Sequence, residues 1–138
     1  MATKIFVNLP VKDLARSMAF FKTLGFTFNA QFTDETAASM KISEDIYAML
    51  LTHDKFKQFT GKAIADTAST IEVITCLGLD RKEAVGELLE KALAAGAKES
   101  APAQDYGFMI ARTFEDPDGH TWEAIWMDPS FVQEEQAA

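Results

Sequence analysis

The feature that most constrains this chain is a layout that occurs twice. A β-prone run over residues 4–9, ended by Pro10, leads to Asp13, which can cap a helix. The apolar positions of that helix, Leu14, Met18, Phe21 and Leu24, fall at helical spacing, and Gly25 closes it. Three strand candidates follow at 26–33, 35–42 and 46–52, broken at Asp34 and at 43–45. The order then repeats. Residues 70–79, rich in Ile, Val and Thr, read as a strand. Asp80 and Glu83 make a capping-box pattern, Val85, Leu88, Leu89, Ala92 and Leu93 form an apolar stripe, and Gly96 ends it. Residues 98–103, 107–114 and 121–127 supply three more strands. The spacing therefore predicts an α+β fold of two tandem β-α-β-β-β modules within a single domain, 1–138. Module one covers about 1–52, a linker with room for a helical turn about 53–68, module two about 69–128, and a tail 129–138, expected to fray over 133–138. Neither module can bury its apolar sheet face alone. Pairing is expected to give a curved, cleft-bearing mixed sheet with the helices outside.

Composition narrows the function classes. At 138 residues, with 48% hydrophobic and 25% charged side chains, the chain reads as one globular domain. Its net charge of −8 argues against a nucleic-acid partner, which calls for a basic patch. No apolar run reaches the roughly 18 residues of a membrane span, and the N-terminus enters KIFVNLPV without a leader-like segment. A cytoplasmic protein is expected. The single cysteine, Cys76, excludes an intramolecular disulfide and a cysteine-based zinc site; its apolar surroundings suggest a buried structural thiol.

The chemistry-bearing stretch is FEDPDGHTWEAIWMD, residues 114–128. Asp116-Pro117-Asp118-Gly119 is a strong turn signal. Beyond it, Thr121, Glu123, Ile125 and Met127 share one strand face, and Trp122, Ala124 and Trp126 the other. Glu123 is thus a lone carboxylate on a mostly apolar face. It is either a ligand contact and proton-transfer group or an anchor meeting Thr121, Thr75 or a backbone donor. The two tryptophans suit packing under a helix or at a subunit contact, with a stacking platform as the sharper reading. His120 reads as a solvated turn residue, and His53, at a strand end, as the better substrate contact. Phe6, Met40, Met49, Leu50, Ile74 and Phe108 could line an apolar small-molecule pocket or simply be core.

With VKDLARSMAFFKTLGF opening the first half and EDPDGHTWE closing the second, the chain resembles the vicinal-oxygen-chelate superfamily. That superfamily includes glyoxalase I, extradiol dioxygenases, fosfomycin-resistance enzymes and bleomycin-resistance proteins. The likeness is greatest to small bacterial proteins described as lactoylglutathione lyases. The resemblance implies a homodimer and a divalent metal held by the first and last strand of each module. Glu123 matches the last-strand glutamate of module two. The other three positions fall on Phe6, near Leu50 and near Ile74, none of which can ligate a cation. No metal cofactor is therefore expected; a register shift would offer Asn8 and Glu72 beside Glu123, an oxygen-rich set suited to magnesium or manganese. The expected role is binding, or metal-independent transformation, of a small apolar or aromatic molecule through Phe6, Asn8, Met49, Leu50, Ile74, Phe108, His53 and Glu123. The alternative is a metal-dependent lyase, isomerase or dioxygenase with Glu123 as a ligand.

Overall fold

The structure, a computed structural model, describes residues 3–131. The greater part of the expected tail, from residue 132 onward, lies outside the described residues. Two compact units are formed. One takes the chain up to Glu72 together with Pro117–Gly119, and the other takes Val73–Asp116 and the chain from His120 onward.

The first unit runs β1 (Ile5–Val11), α1 (Leu14–Thr23), β2 (Thr27–Asn29), a 3-10 turn at Ala30–Phe32, β3 (Ala37–Lys41), β4 (Ile46–Thr52) and α2 (His53–Lys57). Its strands lie in the order β1-β4-β3-β2, with β1 parallel to β4 and the other pairs antiparallel. Asp13 caps α1 as expected, accepting from the Arg16 N–H at 3.0 Å. Pro10 does not end β1. The strand lies at the sheet edge, where a residue without an N–H is tolerated. The strand expected at 26–33 is cut to three residues. Asn29 accepts from Gln31 N–H through its side chain and from the Thr33 hydroxyl through its carbonyl, at 3.0 and 2.7 Å. Those local bonds favour a tight turn over further ladder.

The second unit contains β5 (Ile74–Gly78), α3 (Lys82–Ala94), β6 (Lys98–Glu99), β7 (Gln104–Asp105), β8 (Met109–Glu115) and β9 (Thr121–Met127). The order is β5-β9-β8-β6, with β7 also paired to β8 and β5 parallel to β9. This repeats the first unit's plan, so the α+β class and the β-α-β-β-β repeat stand, built as two mixed sheets. The capping box does not form. Arg81 rather than Asp80 is the N-cap of α3, no side chain caps it, and Arg81 instead bonds Glu87 at 2.8 Å. Strand β5 begins at Ile74, four positions later than expected.

Each unit buries one sheet face. In the first, Leu9, Val11, Ala38, Met40, Ala48 and Leu50 pack with Leu14, Phe20 and Phe21 of α1. In the second, Leu77, Phe114, Trp122 and Ala124 pack with Val85, Leu88 and Leu89 of α3. Each large apolar side chain so buried contributes about 1.5–3 kcal/mol. Among the described residues no helix is long and apolar enough to cross a membrane.

The DPDG turn belongs in part to the first unit. Asp118 accepts from the Lys12 N–H at 2.8 Å and the buried Ser17 hydroxyl at 2.7 Å, and its carboxylate lies 3.6 Å from Arg16. Its carbonyl accepts from the Thr67 hydroxyl. Gly119 has φ +81, and a Cβ there would lie 2.9 Å from the Thr67 carbonyl oxygen, so both conformation and space call for glycine.

Candidate active-site face of the second sheet

Strand pairing decides which side chains share a face. In the second sheet, Cys76 of β5 and Thr113 of β8 are the register partners of Glu123 on β9. All three therefore stand on the face opposite Trp122 and α3. Cys76 stands directly beside Glu123 in the parallel register of β5 and β9. Partial burial of the thiol, reinforced by the neighbouring Glu123 carboxylate, pushes it up to about 11. At neutral pH the thiol thus keeps its proton. Cys76 is nonetheless exposed as a residue, which corrects the expectation of a buried structural thiol.

The pairing corrects other expectations too. Ile74 stands on the same face but pairs with Thr121, not Glu123. Thr75 pairs with Trp122 on the opposite face, so it cannot anchor Glu123. Glu72 precedes β5 and has no strand register beside Glu123. Phe108 also precedes its strand; it is stacked on Phe131 with ring centroids 4.4 Å apart, and on Tyr106 at 6.3 Å. Trp122 is packed under α3 as expected, and its indole N–H donates to Asp116 at 3.0 Å.

In the first sheet, Phe6 pairs with Tyr47 and Asn8 with Met49 on the face away from α1. The Phe6 and Tyr47 rings are stacked, 5.0 Å apart and 12° from parallel, and Phe6 is 51% exposed. Lys4 Nζ lies 5.5 Å from the Tyr47 ring centroid. The Asn8 amide donates to the Phe6 carbonyl oxygen at 3.4 Å. Leu50 does not join this group. It pairs with Leu9 on the α1 side and is fully buried, as is Met40. His53 is the first residue of α2, whose N-cap is Thr52.

The structure also forms a shallow depression lined by Glu99, Ser100, Ala101, Pro102, Ala103 and Arg112. Arg112 faces α3 and is held by Glu99 through two bonds of 2.9 and 3.0 Å, so its charge is already matched.

The donor set does not fit a metal of the kind the resemblance implies. The positions beside Glu123 offer a protonated thiol and a hydroxyl, and the equivalent strand pair of the first sheet offers Phe6 and Tyr47. Among the described residues, no three His, Cys, Asp or Glu side chains gather as a metal set.

Comparison with known proteins agrees with the architecture. Residues 3–43 match the family described as bleomycin resistance protein-like N-terminal. No curated protein matches the chain. Among solved structures, a hypothetical protein from S. aureus is 26% identical over 91% of this chain and 95% of its own, with a TM-score of 0.75. A glyoxalase/bleomycin resistance protein/dioxygenase family enzyme from Burkholderia phytofirmans is 20% identical over 91% and 99%, with a TM-score of 0.74. A lactoylglutathione lyase from Agrobacterium tumefaciens is 15% identical over 91% and 94%, with a TM-score of 0.67. The chain thus has the fold of the vicinal-oxygen-chelate superfamily. Within that class, residues 3–43 are similar to the bleomycin resistance protein-like N-terminal family.

Proposed function

We propose that this glyoxalase/bleomycin-resistance-like protein binds a small, flat, apolar or aromatic molecule, without the superfamily's usual metal site. The observation that carries the reading is Phe6. At a position where the resemblance implies a ligand, it presents an exposed ring stacked on Tyr47. Such a pair offers a platform to a third ring, an interaction of about 0.5–1.5 kcal/mol beyond area burial. Asn8 and Met49 flank it. The net charge of −8 favours a cationic guest.

The test is titration with acridine orange, a planar aromatic cation, followed by fluorescence. Saturable binding, weakened about three- to tenfold in Phe6→Ala, is expected. Absence of binding, or equal affinity in the variant, would count against the reading. The alternative, a metal-dependent lyase, isomerase or dioxygenase, is favoured by the match of Glu123 alone. Near-stoichiometric metal on elemental analysis, lost in Glu123→Gln, would establish that alternative instead. A cytoplasmic homodimer belongs to the same proposal; a monomer in analytical ultracentrifugation would remove the dimer from it.

A further inference from the structure

We infer that the outer edge of β5 is the surface through which two copies of this chain pair, β5 against β5, antiparallel about a twofold axis at Cys76. The inference rests on the homodimer of the reading above and names its contact surface; it does not involve aromatic binding at Phe6. The direction of the backbone groups carries it. Leu79 N–H bonds the Ile125 carbonyl at 2.8 Å, and strand parity turns Thr75 and Leu77 towards β9 as well. The N–H and C=O groups of Ile74, Cys76 and Gly78 therefore face away from β9, where no strand lies among the described residues. An unpaired row of this kind is a template for another strand, and folds ordinarily blunt it. The other edges here are blunted. On β1, Ile5 N–H bonds the Asp45 carbonyl at 2.8 Å, so Phe6, Asn8 and Pro10 turn outward. Pro10 has no N–H to offer, and the Asn8 amide occupies the Phe6 carbonyl. Strands β2, β6 and β7 are only three, two and two residues long. The edge of β5 has no such guard: residues 73–79 contain neither proline nor a charged side chain. Its flank is apolar and open, with Ile71, Val73 and Ile74 each more than half exposed.

A second copy is the occupant that this edge fits. Pairing centred on Cys76 sets the whole of β5 in register, with Cys76 opposite the partner's Cys76 and Ile74 opposite the partner's Gly78. The outward residues then meet as the hydrogen-bonded pairs of an antiparallel ladder, so the free groups of both copies are satisfied together. Gly78 leaves room for the isoleucine that lands opposite it, since a Cβ built there meets nothing within 4 Å. Charge does not oppose the contact, although each copy carries −8. Glu123, the carboxylate beside Cys76, lies one strand in from the edge. Its counterpart stands three strand spacings away, roughly 14 Å, beyond the Debye length at physiological salt. A five-residue edge makes a small interface, so the dimer is expected to dissociate on dilution.

The test is sedimentation velocity of the full chain across about 1–100 μM protein, with a reductant present so that no disulfide forms. A concentration-dependent dimer is expected for the wild type. Cys76→Pro removes the two central hydrogen bonds and spares the ladder to β9, as Pro10 does beside β4. It is expected to raise the dissociation constant about tenfold or more. Cys76→Lys and Cys76→Glu each set like charges opposite one another across the axis, and each alone is expected to weaken the dimer. An equimolar mixture of the two should regain it, which a merely misfolded variant could not do. If Cys76→Pro does not fold, that mixture decides. A mixture that stays as monomeric as its components overturns the axis at Cys76. A dimer that all three variants preserve overturns the β5 edge but leaves the homodimer standing, because the copies then meet elsewhere. A wild type that is monomeric throughout the series removes both. Acridine orange binding is read separately and does not depend on any of these outcomes.

Discussion

At the scale of the residue, Cys76 is where sequence and structure part most sharply. Its neighbours Ile74, Thr75 and Leu77 make an apolar run that reads as core. Strand parity, however, divides that run: Leu77 is buried, whereas Ile74, Cys76 and Gly78 are exposed on the other face. Glu123 was legible as an isolated carboxylate, because alternation along a single strand is local information. Its partner was not, because parallel register between β5 and β9 is set across more than forty intervening residues and leaves no mark on either strand. The pair has a consequence for stability. The thiol titrates near 11 in the fold against an ordinary value of 9.0. Between those values the unfolded chain has lost its thiol proton and the folded chain has kept it, so ionisation favours unfolding. The contribution is fully present below about pH 9 and is lost as pH rises to about 11. Urea midpoints of the wild type should therefore fall relative to those of Cys76→Ala across that window. Curves that stay parallel would show that the fold does not hold the thiol protonated.

At the scale of the element, the two helices show how a repeat in layout can hide a difference in chemistry. Both were expected to be capped by aspartate, and α1 is, with Asp13 bonded to Arg16 N–H. For α3 the aspartate falls one residue early. Arg81 occupies the cap with extended dihedrals and no side-chain acceptor, leaving first-turn N–H groups without a side-chain cap. Such shifts of one residue are invisible to periodicity, which fixes where an apolar stripe lies more firmly than where its helix begins. Strands β4 and β9 came out with the expected bounds because turn residues delimit both and alternation fills them. The strand expected at 98–103 is cut to Lys98–Glu99 ahead of Pro102, and a separate two-residue strand follows beyond it at Gln104–Asp105. Replacing Arg81 by Ser would supply the missing acceptor at the cap. The exposed Arg81–Glu87 pair lost in exchange is of the kind that contributes little. Arg81→Ser is accordingly expected to stabilise the chain by about 0.5–1 kcal/mol in urea titration. A loss of stability would show that the ion pair outweighs the cap.

At the scale of the whole molecule, the chain is not divided where its repeat is divided. The turn that joins β8 to β9 in sequence lends Pro117–Gly119 to the first unit. Turn chemistry made DPDG legible as a turn, but nothing local announces that Asp118 serves the start of α1, more than a hundred residues earlier. The first unit is therefore discontinuous and is complete only when the chain has been made as far as Gly119. The residues flanking the borrowed turn are fixed in the second unit, where Asp116 N–H donates to the His120 carbonyl at 3.0 Å and Trp122 bonds the Asp116 carboxylate. Unfolding the first unit removes the partners of Asp118 and Gly119 and leaves the β8–β9 connection to be held from one side. Asp118→Ala strands the Lys12 N–H and the Ser17 hydroxyl, the latter on a residue 1% exposed, and unpairs Arg16. A loss of about 2–3 kcal/mol is expected, because stranded donors forfeit more than the mean value of a hydrogen bond. Both tryptophans of the chain, Trp122 and Trp126, lie on β9, so their fluorescence reports the second unit, whereas far-ultraviolet circular dichroism reports both. In Asp118→Ala the two signals are expected to move to lower denaturant together and to remain superimposed. If the dichroism moved while the fluorescence stayed, the borrowed turn would tie down α1 alone, and the two units would unfold independently.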